Sequence, residues 1–129
     1  MPIALDRSKW PVVIVRFVGT PSDEEFARYL AIYDELLAEK QRYGLVFDAL
    51  AADVPTARRR AMQAKWIRDH SVQLAEYCLA GAFVIGSPLI RGALTAIFWI
   101  QPMPFPHVVC GKVEEGERWV RQCLTDIRR

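Results

Sequence analysis

Thr20 and Ser87 each stand directly before a proline, and Asp53 opens the stretch Asp53-Val54-Pro55-Thr56. Such residues cap helices: the side-chain oxygen accepts from free N–H groups of the first turn, and proline suits the first helical position. The same N–H groups, with the positive end of the helix dipole, can instead hold an anion. Thr20, Asp48, Ser87 and Arg91, the last one turn inside the helix that Ser87 opens, therefore form a candidate rim for a phosphate or a small ligand. Neither Gly19-Thr20-Pro21 nor Gly86-Ser87-Pro88 has the glycine spacing of a nucleotide-binding loop.

Positive charge gathers at Arg58-Arg59-Arg60, Lys65 and Arg68. Three adjacent arginines span about 200° of a helix and cannot share a face, whereas Arg58 and Lys65, at i and i+7, can. That face is either solvated or a docking surface for an acidic protein. No aromatic platform is interleaved with it, so nucleic acid is not expected. Trp66 and His70 stand at i and i+4 and stack on one helical face, with Tyr77 one to two turns on. Ser71 beside His70 is sequence adjacency rather than triad geometry, and no catalytic residue is assigned. Cys78, Cys110 and Cys123 are odd in number and widely spaced, as expected of reduced, packed thiols. His70 and His107 have no Cys or acidic cluster at ligand spacing, so neither metal nor cofactor is expected.

The stretch Phe98 to Pro106 carries Trp99, Met103 and Phe105 among three prolines. Two readings are open. Either the loop packs across a sheet edge, or these residues form an exposed patch for self-association or for a protein partner, since such types are enriched in interface cores.

The elements that must position these residues are legible in the apolar pattern. Val12 to Val18 is a β-branched run between Pro11 and Gly19, expected as a core strand, and Ile3 to Leu5 pairs with it as a hairpin across Asp6-Arg7-Ser8-Lys9. Phe26, Tyr29, Leu30, Tyr33, Leu36 and Leu37 mark a one-sided helix, capped by Thr20 and ending near Arg42. Leu45 to Asp48 and Ala82 to Gly86 are apolar without alternation, the pattern of strands covered on both faces. Between them, Asp53 caps a helical stretch reaching Leu79-Ala80-Gly81, with a bend at His70-Ser71. Ser87-Pro88 starts a third helix. The prolines at 102, 104 and 106 keep the next segment extended. His107 to Cys110 is a short strand, and Val113 to Ile127 a helix with acids at its start and Arg128-Arg129 at its end. The order β-β-α-β-α-β-α-β-α implies right-handed crossovers and a mostly parallel sheet. In such a sheet the turns beyond the strands' carboxyl ends converge on one rim.

With this element order the chain resembles the STAS domains, in particular the SpoIIAA-like proteins, which have four βα units after an N-terminal strand or hairpin. The local likeness lies in Ala82-Phe83-Val84-Ile85 followed by Ser87-Pro88-Leu89-Ile90-Arg91-Gly92, and in the closing Val113-Glu114-Glu115-Gly116-Glu117-Arg118-Trp119-Val120. The resemblance implies an α/β sandwich, residues 1–129 as one domain, and a non-enzymatic regulatory or scaffold module without a cofactor. In anti-sigma-factor antagonists of this type a Ser or Thr in an Asp-Ser-Ser-Gly-like turn is phosphorylated. Here Asp53-Val54-Pro55-Thr56 occupies that place, so Thr56 alone corresponds, and the serine pair and glycine are missing. A more distant likeness, to the CRAL-TRIO lipid-carrier fold, implies an apolar ligand instead.

Composition agrees with one soluble domain. The 129 residues are 52% hydrophobic and 25% charged, and 17 basic against 15 acidic residues leave +2, far from a nucleic-acid-binding excess. The longest apolar runs fall well short of a membrane span. The start Met1-Pro2-Ile3-Ala4-Leu5-Asp6 reaches an acid before any signal-peptide core, so a cytoplasmic location is expected. Two functions fit: a module acting through protein contacts, with a protein partner or as a homodimer, and a carrier or sensor of a small apolar or anionic ligand held between helices and sheet.

Overall fold

A computed structural model describes residues 3–128; residues 1, 2 and 129, and the side chains of 127 and 128, lie outside it, and with them the expected Arg128-Arg129 pair. Strand β1 (Ile3–Asp6) runs antiparallel to β2 (Val12–Gly19), and β2, β3 (Tyr43–Ala52), β4 (Cys78–Val84) and β5 (His107–Cys110) are parallel. The sheet order is β1-β2-β3-β4-β5, so every crossover steps in the same direction. Right-handed crossovers that all step one way lay their helices on one face. That face carries α1 (Asp23–Ala38), α2 (Ala57–Asp69), α3 (Ser71–Tyr77) and α4 (Pro88–Ile100), while α5 (Val113–Arg128) returns over the other.

Side chains of β2 alternate between the faces as a period of two requires. Val13, Val15 and Phe17 belong to the core under α1 to α4, whereas Val12 and Ile14 face the smaller core under α5 with Val46, Ala82, Val84, Val120 and Leu124. The two faces differ in spacing for a chemical reason. Under α5 the sheet presents small residues: a Cβ on Gly44 would collide with Val120, and one on Gly116 of the helix would stand 3.0 Å from the Ala82 Cβ. The helix therefore lies close. On the other face a row of rings crosses three neighbouring strands, with Phe17 and Phe47 centroids 4.8 Å apart and Phe47 and Phe83 5.8 Å apart. Rings of this size hold α2 and α4 away from the sheet, and the two helices pack on each other.

Local signals differ from expectation at four places. Helix α1 is capped by Ser22, not Thr20: the Glu25 N–H donates to Ser22 Oγ at 3.1 Å and the Ser22 N–H to Glu25 Oε1 at 2.9 Å, a reciprocal capping box. The accepted hydrogen bonds hold the Glu25 carboxyl below its ordinary pKa. The helix stops at Ala38, short of Arg42, because the chain turns left-handed at Lys40 (φ 56°). Helix α2 is capped by Thr56 rather than Asp53, with the Arg59 N–H donating to Thr56 Oγ1 at 3.1 Å. The helical stretch breaks at His70 as expected, yet α3 ends at Tyr77 and β4 starts at Cys78, four residues earlier than the Ala82 expected. The Ser87 cap and Pro88 at the start of α4 stand as read.

Candidate functional site

The space between the ring row and the two held-off helices is a partly open cavity of about 140 Å³. Phe17, Phe47 and Phe83 make its floor, α2 contributes Arg59, Gln63 and Ile67, and α4 contributes Ala93 and Ile97. It reaches the carboxyl ends of the strands at Gly19-Thr20 and Asp53 to Thr56, the switch from strand to helix where α/β proteins bind ligands. A cavity of 150 Å³ lined by apolar side chains is known to hold one benzene ring, which sets the size of occupant here.

A set of polar contacts borders the mouth. Thr20 Oγ1 donates to Asp53 Oδ2 at 2.7 Å, joining the turn after β2 to the turn after β3. Gly19, with φ 63°, makes the bend that brings Thr20 there. The Arg59 guanidinium lies 4.3 Å over the Phe26 ring, donates from Nη2 to Pro21 O at 3.3 Å and pairs with Asp23 Oδ1 at 3.0 Å. Its side chain is 15% exposed against 74% for Arg58. The arginine triplet thus splits as helical geometry demands, with Arg59 turned inward and Arg60 donating to Pro55 O.

Of the rim residues read from the sequence, only Thr20 lines the cavity. Asp48 is inside β3, not at its end, and belongs to the opposite face, where its carboxylate stands 3.8 Å from Arg16 Nε and accepts from the Leu50 N–H. Ser87 spends its hydroxyl on the cap, and Arg91 is exposed on α4 outside the cavity lining. Thr56 lies at the mouth. Among the interface residues, Trp99 is 84% exposed as the patch reading expects, but Phe105 is 6% exposed and packs over Gly81. The prolines bring its ring down across the sheet, so Phe105 is a core residue, and Met103 is turned into the cavity lining. Arg58 and Lys65 are exposed, and each pairs inside the chain, with Asp23 at 3.2 Å and Asp69 at 2.9 Å. Of the two polar residues that α2 places on the cavity wall, Arg59 is legible in the sequence only as part of the basic run, and Gln63 not at all. A glutamine in a polar helix carries no signal of its orientation.

Trp66 and His70 stack with centroids 4.3 Å apart, as their spacing implies. His70 Nε2 lies 2.8 Å from Asp34 Oδ1 and Nδ1 2.8 Å from Trp66 O, so both ring nitrogens are engaged and neither is left to activate a nucleophile. The pair fastens α2 to α1 at the end of α2 away from the cavity. Burial pushes the Cys78 thiol up to about 12, which keeps it in the unreactive thiol form. Among the described residues no three His, Cys, Asp or Glu side chains gather as metal ligands would, and no helix is long and apolar enough to cross a membrane.

An N-terminal hairpin, three parallel βα crossovers with their helices on one face and a last helix on the other define the SpoIIAA-like class of α/β folds. Among solved structures the chain is similar to an uncharacterized protein of the DUF3478 family with a SpoIIAA-like fold, from Shewanella loihica PV-4. The two share 16% identity and a TM-score of 0.65 over 92% of this chain and 91% of that one, a likeness of fold. No protein-family model and no curated protein matches the sequence.

Proposed function

We propose that this protein is a non-enzymatic regulatory module that binds a small, largely apolar molecule about the size of one aromatic ring. The observation that carries this reading is the partly open apolar cavity between the ring row of the sheet and helices α2 and α4, bordered at its mouth by the Thr20–Asp53 and Arg59–Asp23 contacts. Ala93, buried on α4, faces the space, and Ala93→Phe would fill it with a ring of the protein's own. Saturating phenol is expected to raise the melting temperature of the unaltered protein, since a ligand at one hundred times its Kd adds about 2.7 kcal/mol of stability. In Ala93→Phe the increment should vanish. Equal increments in both proteins, or none in either, would exclude the cavity as a binding site.

A second observation supports action through protein contacts. Leu89, Trp99 and Ile100 are 71%, 84% and 59% exposed on the outer side of α4, the helix whose inner side walls the cavity. Large exposed apolar side chains, above all Trp99 beside Ile100 in the last turn of α4, suit association with a protein surface. On this reading light scattering after size exclusion gives a dimer at both low and high salt, and Trp99→Ser returns it to monomer. A monomer that Trp99→Ser leaves unaltered would remove the self-association arm.

A further inference from the structure

Helix α4 carries one charge in thirteen residues, at Arg91. A helix apolar all round is ordinarily buried, yet α4 buries only Ala93 and Ile97. At about 100° per residue, Trp99, Gly92, Ala96, Leu89 and Ile100 follow one another round an arc of about 100°, and Arg91 lies about 80° beyond its edge. All but the half-buried Ala96 are exposed. Along the helix axis this arc is large at both ends and small in the middle. Gly92 has no internal reason to be glycine: its backbone is not left-handed, and nothing stands within 4 Å of the place of a Cβ. Glycine weakens a helix relative to alanine, and what it permits is close approach by another backbone. Thr95 donates its hydroxyl to Arg91 O at 3.0 Å and so brings no unpaired hydroxyl to a contact.

Resting on the reading that α4 makes a protein contact, we infer that the occupant of this arc is α4 of a second copy of the chain, packed antiparallel about a two-fold axis at the level of Leu94. In a two-fold contact, residue i meets j and j meets i. An axis at Leu94 sets Gly92 against the partner's Ala96 and Leu89 against the partner's Trp99, so small meets small where the helices cross and large meets large at each end. A face without charge meets itself with no like charges opposed and no ion stripped of water, whereas a charged partner would find nothing there to pair with. Antiparallel packing also opposes the two helix dipoles. Leu89, Trp99 and Ile100 expose on the order of 400 Å² of side chain per copy. Two such faces with their rims bury about 1,200 Å², the lower edge of specific interfaces, which suits a dimer in exchange with its monomer.

Sedimentation equilibrium of the full chain over a range of concentrations is expected to show a monomer–dimer equilibrium, and Gly92→Gln should raise its dissociation constant at least about tenfold by filling the crossing point. The same variant should melt no lower than the unaltered protein, because glutamine is the better helix former and enters open space. Geometry is read by oxidative cross-linking of Gly92→Cys mixed with Ala96→Cys, both carrying Cys123→Ser. The mixed disulfide should exceed either symmetric one. Symmetric disulfides in excess would mean parallel helices and overturn the proposal. A dimer that survives Gly92→Gln but is lost in Trp99→Ser would overturn the α4 crossing while leaving self-association through Trp99 in place. A chain that stays monomeric at every concentration would remove both.

Discussion

Raising the pH to between about 11 and 12 should unfold this protein in a single transition, and three of its four tyrosines should ionise only as it does so. Tyr29, Tyr33 and Tyr43 are 7%, 2% and 0% exposed between α1 and the sheet. The Tyr33 and Tyr43 hydroxyls hydrogen-bond each other, and the Cys78 thiol lies beside them. Burial raises all three phenols well above the ordinary 10.0, with neighbouring phenols and the Cys78 thiol adding to it at Tyr33 and Tyr43, and it raises Cys78 from 9.0 to about 12. In each case the folded value exceeds the unfolded one. The stability these groups contribute is therefore complete below pH 9 and declines as the pH passes the unfolded values. Each group that would ionise only in the unfolded chain lowers stability by about 1.4 kcal/mol per pH unit. Four acting together exhaust a typical domain stability of about 5–15 kcal/mol within one or two units above pH 10. Tyrosinate absorbance and far-ultraviolet circular dichroism followed in one titration should change together. Tyrosinate from these three appearing near pH 10 with the helix signal intact would contradict the packing described.

Gly81→Ala and Phe105→Ala should each destabilise the protein, and the double variant should cost no more than Phe105→Ala alone. A Cβ at residue 81 would enter the Phe105 ring, so the first change expels the ring that the second removes. Truncating a buried phenylalanine costs about 3–5 kcal/mol, and forcing a methyl into a filled core about 1–3 kcal/mol. Residues that compete for one volume are non-additive, and the coupling should exceed about 1 kcal/mol. Urea unfolding of the four proteins closes the cycle. Strict additivity would mean that the ring does not sit on Gly81. The same measurement separates Phe105 from Trp99, because Trp99→Ser on the outer side of α4 should leave stability within about 0.5 kcal/mol.

These residues also show what the sequence could and could not tell. The strands, their coverage and the order of helices were legible because β-branched runs and apolar helix periods report burial directly: Val12, Val13 and Val15 are fully buried, and Phe26, Tyr29, Tyr33, Leu36 and Leu37 line the inner side of α1. The Ser22 capping box is spelled Ser-Asp-Glu-Glu, but Thr20-Pro21 just before it carries the same cap-then-proline signal, and only the fold decides between them. Asp48 was placed at a strand end because the apolar run stops there, whereas the β3 backbone continues to Ala52 alongside Gly19. The burial of Phe105 depends on Gly81, twenty-four residues earlier and on the other side of α4 in the chain, so no local pattern reports it. The cavity is the least legible feature. It arises from the summed width of rings on three strands and has no one-dimensional signature.

The strand order β1 to β5 also governs how the chain can be built during synthesis. Each strand joins the one just before it, so the sheet can grow from the amino terminus as residues leave the ribosome, without waiting for a distant partner. Helix α5 breaks this pattern, because its sixteen residues come last and cover Val12, Val46, Ala82 and Val84 together. Until they emerge, a contiguous aliphatic surface across three strands faces water or whatever chaperone is at hand. Release of the nascent chain from such a holder would then be timed by the docking of α5 on this face.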